Sequence, residues 1–530
     1  MAAPKAPLFH PLSRRLHILL LMNVGSFVNM YMNSNIAITI NCMVNSTATA
    51  LNNPILTSLN ETIILESPFS NTSNGQIDEV VENQCGAQHK DGKPIVIDYG
   101  GSLVWDKSIQ NFVFSGTFWG GLITCLPSIF LVQKLNPKWA IFATQANKAL
   151  MNSLIPFFSL HLGYYFTFGA RFMLGVSDAF TVPFYNSIIT NWFPVAERST
   201  ALAIYTTGNQ LAIVFGNPIS AAFCQSRWGW PMVYYYAAAS AVGWCIVWLI
   251  FGSNSPHECK KMTTVERIYL NENVVAKKTK EQRKSQKIPW VKMMTNHAFI
   301  AYLYCNFVIT VLITFIMIYL PTYTKDVLLL SVLANGAFTS LPSVFNFLFK
   351  VMWSLLVDKL KSSHIITPTT SVKISQSLTN FGGALFFFLV VMFVDCTRPI
   401  LAFVLFCSIN VCFGAQISGA YTSLLSIAPQ FTATMSSVGM CVNMIGKVLT
   451  PMIVGYFNTS GTVLEWNRVL LAFSCLSCSA AIVFLALGSG EVQDFAHEPK
   501  KAIIEKDEDK ELIVTVRMNS LQAESMTALN

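Results

Sequence analysis

Charge is what this sequence has least of. Only 12% of its 530 residues are Asp, Glu, Lys or Arg, against roughly 25% in a soluble globular domain. At the same time 53% are hydrophobic and 39 are Phe. An ordinary water-soluble domain is excluded, and a polytopic membrane protein is expected. No stretch fits GxxxxGK[ST], so the chain has no Walker-type nucleotide loop of its own. No Ser-His-Asp or Cys-His arrangement is recognisable outside the apolar runs, which argues against an enzyme. The formal net charge of +8 does not point to nucleic acid, because the basic residues cluster in loops beside apolar stretches, the positive-inside pattern. Most of the 13 cysteines lie inside apolar runs (Cys125, Cys245, Cys407, Cys412, Cys441), where cysteine acts as a small hydrophobe. Cys475 and Cys478 form a CxxC without His or carboxylate neighbours, so no metal site is expected. Cys42 and Cys85 bound a long loop and can pair if it faces an oxidising compartment. The first apolar stretch is long enough to remain as a span rather than a cleaved leader.

What is present is a series of twelve apolar stretches, split six and six by a lysine-rich segment. Lipid admits only helices and closed barrels, and a helix needs about 20 apolar residues to cross. The first half is expected over 16–252, with spans near 16–40, 108–133, 139–160, 163–188, 200–224 and 231–252. A linker follows over 253–296, containing Lys277, Lys278, Lys280, Arg283 and Lys284. The second half is expected over 297–489, with spans near 298–320, 334–357, 373–395, 399–427, 432–457 and 467–488. Arg14 and Arg15 place residues 1–15 in the cytosol, with the linker and a charged tail over 490–530 on the same side. The loop over about 45–105 then lies outside. It carries three glycosylation sequons, at Asn45, Asn60 and Asn71, and a fourth at Asn458 falls outside by crossing count. Two six-span halves suggest a machine that rocks about a midplane site.

Several motifs point to a family. Trp105-Asp106-Lys107 and Phe118-Trp119-Gly120 open helix 2; Arg171-Phe172-Met173-Leu174-Gly175 leads to Pro183; Trp192-Phe193-Pro194 leads to Glu197-Arg198-Ser199. Leu320-Pro321-Thr322-Tyr323 closes helix 7, Ile427-Ala428-Pro429 ends helix 10, and Gly490-Glu491-Val492-Gln493 follows helix 12. In these the chain resembles the major facilitator superfamily, in the solute-carrier group of sodium/phosphate, sialic acid and vesicular glutamate and nucleotide transporters. The resemblance implies an all-α membrane fold of twelve helices in two bundles and a secondary active carrier of a small organic or inorganic anion. Protons, sodium or membrane potential would drive it; no cofactor is implied. The departures are specific. Asn33 stands where the family usually has an Arg, Phe114 and Ile309 where glutamate members add His and Arg, and Asn186, Leu424 and Ser426 where the family has further polar groups. A non-transporting sensor or accessory protein that kept the fold is therefore the alternative.

An ionisable residue at membrane depth is expensive and a functional candidate by default. Arg171 and Asp178 are seven apart on helix 4, close to one helical face. Arg171 suits anion recognition, and Asp178 suits proton coupling, standing where the family has a Glu. Lys447 lies near mid-membrane on helix 11, where its stem cannot span the ~18 Å to the surface. With Lys350 on helix 8 it is expected to supply positive charge lost with the arginines. Lys148 is also deep, but on helix 3, which is peripheral in the superfamily. Asn33, Tyr31, Tyr185 and Tyr421 project from cavity-lining helices, although aromatics there more often pack than bind. Glu197 and Arg198 read as a gate or topology element. In the tail, Glu508-Asp509-Lys510-Glu511-Leu512-Ile513 has the form of an acidic dileucine signal, with Leu512 and Ile513 as the adaptor-binding pair.

Overall fold

The structure is a computed structural model that describes residues 10, 13–51, 63–65, 95–131, 134–194, 198–259, 262–273, 289–428 and 431–493. Twelve long helical segments follow in order among these residues. They are α1 (Arg14–Ser34, continued by Ile36–Met43), α2 (Lys107–Leu131), α3 (Pro137–Phe157), α4 (Tyr164–Trp192), α5 (Arg198–Gln225) and α6 (Pro231–Phe251). After the linker come α7 (His297–Asp326), α8 (Val332–Ser362), α9 (Pro368–Phe393), α10 (Pro399–Gly414, then Ala420–Ile427), α11 (Thr432–Phe457) and α12 (Val463–Leu487). The only strands among the described residues pair Ile63–Leu65 with Ile95–Ile97 in parallel.

Seven of the twelve, α6 to α12, are long and apolar enough to cross a membrane by length and composition. The first five carry more polar groups, such as Asn23, Asn29 and Asn33 on α1 and Gln145, Lys148 and Asn152 on α3. Such residues are tolerated at membrane depth when they face the bundle interior and pair there.

Local signals explain the ends. Pro137 occupies the first turn of α3 and Asn136 accepts from Lys138 N, using the position where a missing N–H costs nothing. Thr462 and Glu465 form a full capping box on α12, so that helix starts earlier than its apolar run suggests. The expected stop of α7 near Leu320 is overrun: the helix passes through Pro321 to Asp326. Pro321 lacks an N–H, but its carbonyl accepts from Asn335 Nδ2 at 2.7 Å, a side chain meeting a backbone group that no water can reach. α10 is interrupted by a 3₁₀ turn at Ala415–Ser418 before Gly419.

Within the first half, α2 and α4 touch at backbone distance. A Cβ on Gly120 would meet Phe172 O at 2.0 Å, and one on Gly175 would meet Thr117 O at 1.9 Å. Small residues that let helices approach closely replace the hydrophobic drive that lipid cannot supply. The halves meet where α2 packs on α11, α5 on α8, and the Ile36–Met43 end of α1 on α7. The linker helix Thr264–Asn273 is fastened beneath the first half by Glu266, which accepts from Ser13 Oγ (2.9 Å) and pairs with Arg15 Nε (3.0 Å). The two ends of the bundle are called here the loop face, bearing the 45–105 loop, and the linker face.

Polar contacts between the halves crowd toward the loop face. Lys107 pairs with Asp326, Tyr319 donates to Asn111, Lys325 donates to Asn41 O and Ser46 Oγ, Asn217 donates to Thr339, and Tyr99 donates to Leu330 O. Among the described residues, the hydrogen bonds between halves that lie nearest the linker face are Cys125–Cys441 and Gln210–Lys350. The loop face is closed.

On this face the structure answers the open Cys42–Cys85 pairing and bears on the Asn458 sequon. The Cys42 thiol is free and buried, while Cys85 lies outside the described residues. Cys42 lies beside the Cys224 thiol of α5, which is why it does not face the loop. Among the described residues, Cys396, in the turn between α9 and α10, is disulfide-bonded. Asn458 is only 3% exposed, and its Oδ1 accepts from Gly461 N at 2.9 Å, so this sequon is closed to a glycan in the folded chain. Asn45 is half-buried and caps the helix Ser46–Leu51 through Ala48 N. Asn60 and Asn71 lie outside the described residues, as do Glu197, Leu512 and Ile513; Arg198 opens α5.

Candidate functional site

The polar centre of the first half is built around Asp178. Its Oδ2 accepts from Asn33 Nδ2 at 2.7 Å, and its Oδ1 accepts from Asn29 Nδ2 at 3.3 Å and from Lys148 Nζ. Lys148 also donates to Asn29 Oδ1. Asn29 and Asn33 are four apart on α1, so they share a face, and that face is turned to α3 and α4. Lys148 is completely enclosed, whereas the Asp178 side chain keeps 28% exposure. A sealed ammonium therefore holds a carboxylate that solvent can still reach.

Arg171 lies one step deeper. It is 1% exposed, and its Nη1 and Nη2 donate to the Asn33 carbonyl at 3.4 and 3.3 Å. Arg171 Nε and Asn33 Oδ1 are buried without a hydrogen-bond partner among the described residues. The expectation that Arg171 faces a central cavity is corrected: in this conformation its guanidinium is enclosed between α1, α2 and α4, with Gly116 of α2 packed on its stem. Arg171 and Asp178 occupy nearby faces of α4 but do not pair.

The positive charges open to solvent come from the second half. Lys447 on α11 is half-buried and makes no hydrogen bond or ion pair among the described residues. Its charge nonetheless acts on both Lys148 and Asp178. Lys350 on α8 is also half-buried; with the Gln210 carboxamide oriented to donate to Thr206 O, Gln210 Oε1 accepts from Lys350 Nζ at 3.2 Å. Lys350 thus turns to the partner half through α5.

Two of the three tyrosines pack. Tyr31 is 1% exposed, stacks on Phe27, meets Tyr236 edge-on, and accepts from Ser220, seated in the gap left by Gly216 on α5. Tyr185 is enclosed against Gly25, with its ring edge-on to Tyr205. Neither lines an open space, because each fills a hole left by a glycine on a neighbouring helix. Tyr421 is 50% exposed on α10.

Lys148 and Asn29 are the members of this polar centre that the sequence reading did not place there. The signal existed. Gln145, Lys148 and Asn152 recur at three and four residues along α3, and all are fully buried, so that helix turns a polar stripe inward. A helix surrounded by lipid would not.

The comparisons agree with this architecture. The family model for the Major Facilitator Superfamily matches residues 22–451. The chain is 42% identical to "Uncharacterized transporter slc-17.3" of Caenorhabditis elegans over 532 aligned residues, covering all of this chain and 97% of that one. It is 25% identical to human "Sialin" over 399 residues, 75% of this chain and 79% of that one. Among solved structures it resembles a bacterial homolog to the human lysosomal transporter Spinster, inward-facing and occupied, with a TM-score of 0.61 at 12% identity over 89% of this chain and 96% of the other. That last likeness is one of fold alone. From the matched family model and its full-length relative, the chain belongs to the major facilitator superfamily, in the solute-carrier group that includes sialin, and is a multi-pass membrane transporter rather than an enzyme.

Proposed function

We propose that the chain is a secondary active carrier of a small anion, seated between the Asp178 centre of the first half and the lysines of the second, and moved by alternating access. The observation that carries this reading is the distribution of charge. Lys148 is matched by Asp178 inside the first half, while Lys447 stands half-open and unpaired on the facing half. An unpaired cation at membrane depth is costly, and an anion between the halves offsets that cost. Relatives named sialin, vesicular glutamate transporter and putative inorganic phosphate cotransporter support the substrate class. The closed loop face supports a site open toward the linker face, which the positive-inside pattern assigns to the cytosol. The Cys396 disulfide supports an oxidising compartment at the loop face. Asp178 is the proton-coupling group in this reading, and a vesicular or lysosomal membrane is its site of action. The tail pattern at Leu512 and Ile513 is its adaptor signal.

The test is uptake by the purified full chain in liposomes, using labelled sialic acid, glutamate and inorganic phosphate under imposed proton, sodium or potential gradients. Accumulation of one anion, reduced about tenfold or more by Lys447→Ala (a loss of roughly 1.4 kcal/mol), is expected. Folded protein that moves none of them overturns the reading.

A further inference from the structure

The Lys148–Asp178 pair joins α3 to α4, with both partners also held by Asn29 of α1. One partner is sealed and the other is 28% exposed. A pair that served only to fasten helices would gain from enclosing both members, since an exposed carboxylate keeps exchanging its partner for water. Here only the cation is shut away. Lys148 is fully enclosed, and its side-chain partners are Asp178 and Asn29. The carboxylate, in contrast, keeps 28% exposure and feels the charge of Lys447 from the other half.

We propose that Lys148 is the positioning residue of the carrier: without touching the transported anion, it holds Asp178 against α1 and sets the pH at which that carboxylate takes up a proton. The charged groups that bear on the pair are Lys447 from α11 and Arg171 from α4. Asn33 donates to the carboxylate from α1. An anion seated at Lys447 offsets one of the positive charges that act on Asp178, which couples anion binding to proton uptake at the carboxylate. The proton and anion sites are thereby linked through the charge of Lys447, while Lys148 holds the carboxylate in place. The same geometry explains why Asn33 can be neutral: the charge facing Asp178 arrives from α3.

This inference rests on the carrier reading, so its test includes a readout independent of transport. Dicyclohexylcarbodiimide attacks protonated carboxyls at membrane depth, and mass spectrometry reports the adduct on the Asp178 peptide. Full-length protein in liposomes is labelled across a pH series as wild type, Lys148→Met and Lys148→Arg, with Asp178→Asn as the blank. Removing a cation from a carboxylate it touches moves the protonation range by about one to three pH units. The expected result is labelling in Lys148→Met that begins about one unit or more higher in pH than in wild type, with Lys148→Arg restoring the wild-type profile. The pH profile of anion uptake should move with it. Identical labelling profiles in Lys148→Met and wild type overturn the proposal. Where Lys148→Met does not fold, Lys148→Arg against Lys148→Gln decides by the same readout. If wild type takes up none of the three anions, the carrier reading fails while the labelling still decides the role of Lys148.

Discussion

Lys107 Nζ on α2 lies 2.7 Å from Asp326 Oδ2 on α7, an ion pair that crosses from one half of the bundle to the other. Trp466 Nε1 of α12 donates to the same oxygen at 3.3 Å. Gly461, at φ +81°, passes so close that a Cβ would stand 3.1 Å from Asp326 Oδ2 and 3.2 Å from Lys107 Cε. Beside it, Lys325 reaches Asn41 O at 3.3 Å and lies over the Tyr99 ring. These contacts must part before the midplane can open toward the loop face.

Asp326→Asn is therefore expected to favour opening at that face. Losing about 1 kcal/mol of closure multiplies the open population roughly fivefold. Cys42, free and 4% exposed in the closed form, reports it: an impermeant maleimide added from the loop side should label Cys42 several times faster in the variant. Equal rates would show that the pair is not a latch.

The two thiols of Cys125 on α2 and Cys441 on α11 stand 3.5 Å apart across the halves. Copper phenanthroline as oxidant should remove two electrons and two protons and join them in a disulfide. Uptake is expected to fall at least about fivefold and to recover with dithiothreitol. Cys441→Ser should be insensitive. Oxidation that leaves uptake unaffected would mean α2 and α11 do not separate there during the cycle.

Gly120→Ala and Gly175→Ala each place a methyl on a facing backbone carbonyl, at 2.0 and 1.9 Å before relaxation. Each should destabilise by about 1–3 kcal/mol, read as a lower melting temperature in detergent. Gly169→Ala, on the same α4 with nothing within 4 Å of the added Cβ, is the control. A drop as large in the control would remove the packing explanation.

Asn458→Gln should leave electrophoretic mobility unchanged, because the carboxamide is buried and holds the turn at Gly461. Loss of that capping contact should instead lower thermal stability by about 1 kcal/mol. A mobility shift equal to the removal of one glycan would show that the sequon is modified before this turn folds.

Much of the fold was readable in the chain. The twelve helices, the six-and-six division and the family follow from apolar run length and a few ordered motifs. What the runs concealed were their edges: α7 continues through Pro321, α10 breaks at Ala415–Ser418, and α12 begins at a capping box. Those depend on single side chains meeting backbone groups. The candidate site was legible in part. Asp178, Arg171, Lys447 and Lys350 stand out as charges at membrane depth, but their order of importance does not. Arg171 was expected to face the anion and is enclosed, whereas Lys148 was set aside with its helix and proves to hold Asp178.

The sequence by itself determined that this chain lives in lipid as two six-helix halves, because the solvation cost of an unpaired backbone leaves helices of that length as the only solution. It also determined which side chains carry charge at membrane depth. Only the tertiary structure decided which of those charges are matched and which stay open. A helix of known composition can be rotated to present any face, and the rotation of α3 toward Asp178 is set by packing among its neighbours. That packing places Lys148 inside the pair, Tyr31 and Tyr185 in glycine-lined gaps, and leaves Lys447 half-buried on the opposite half.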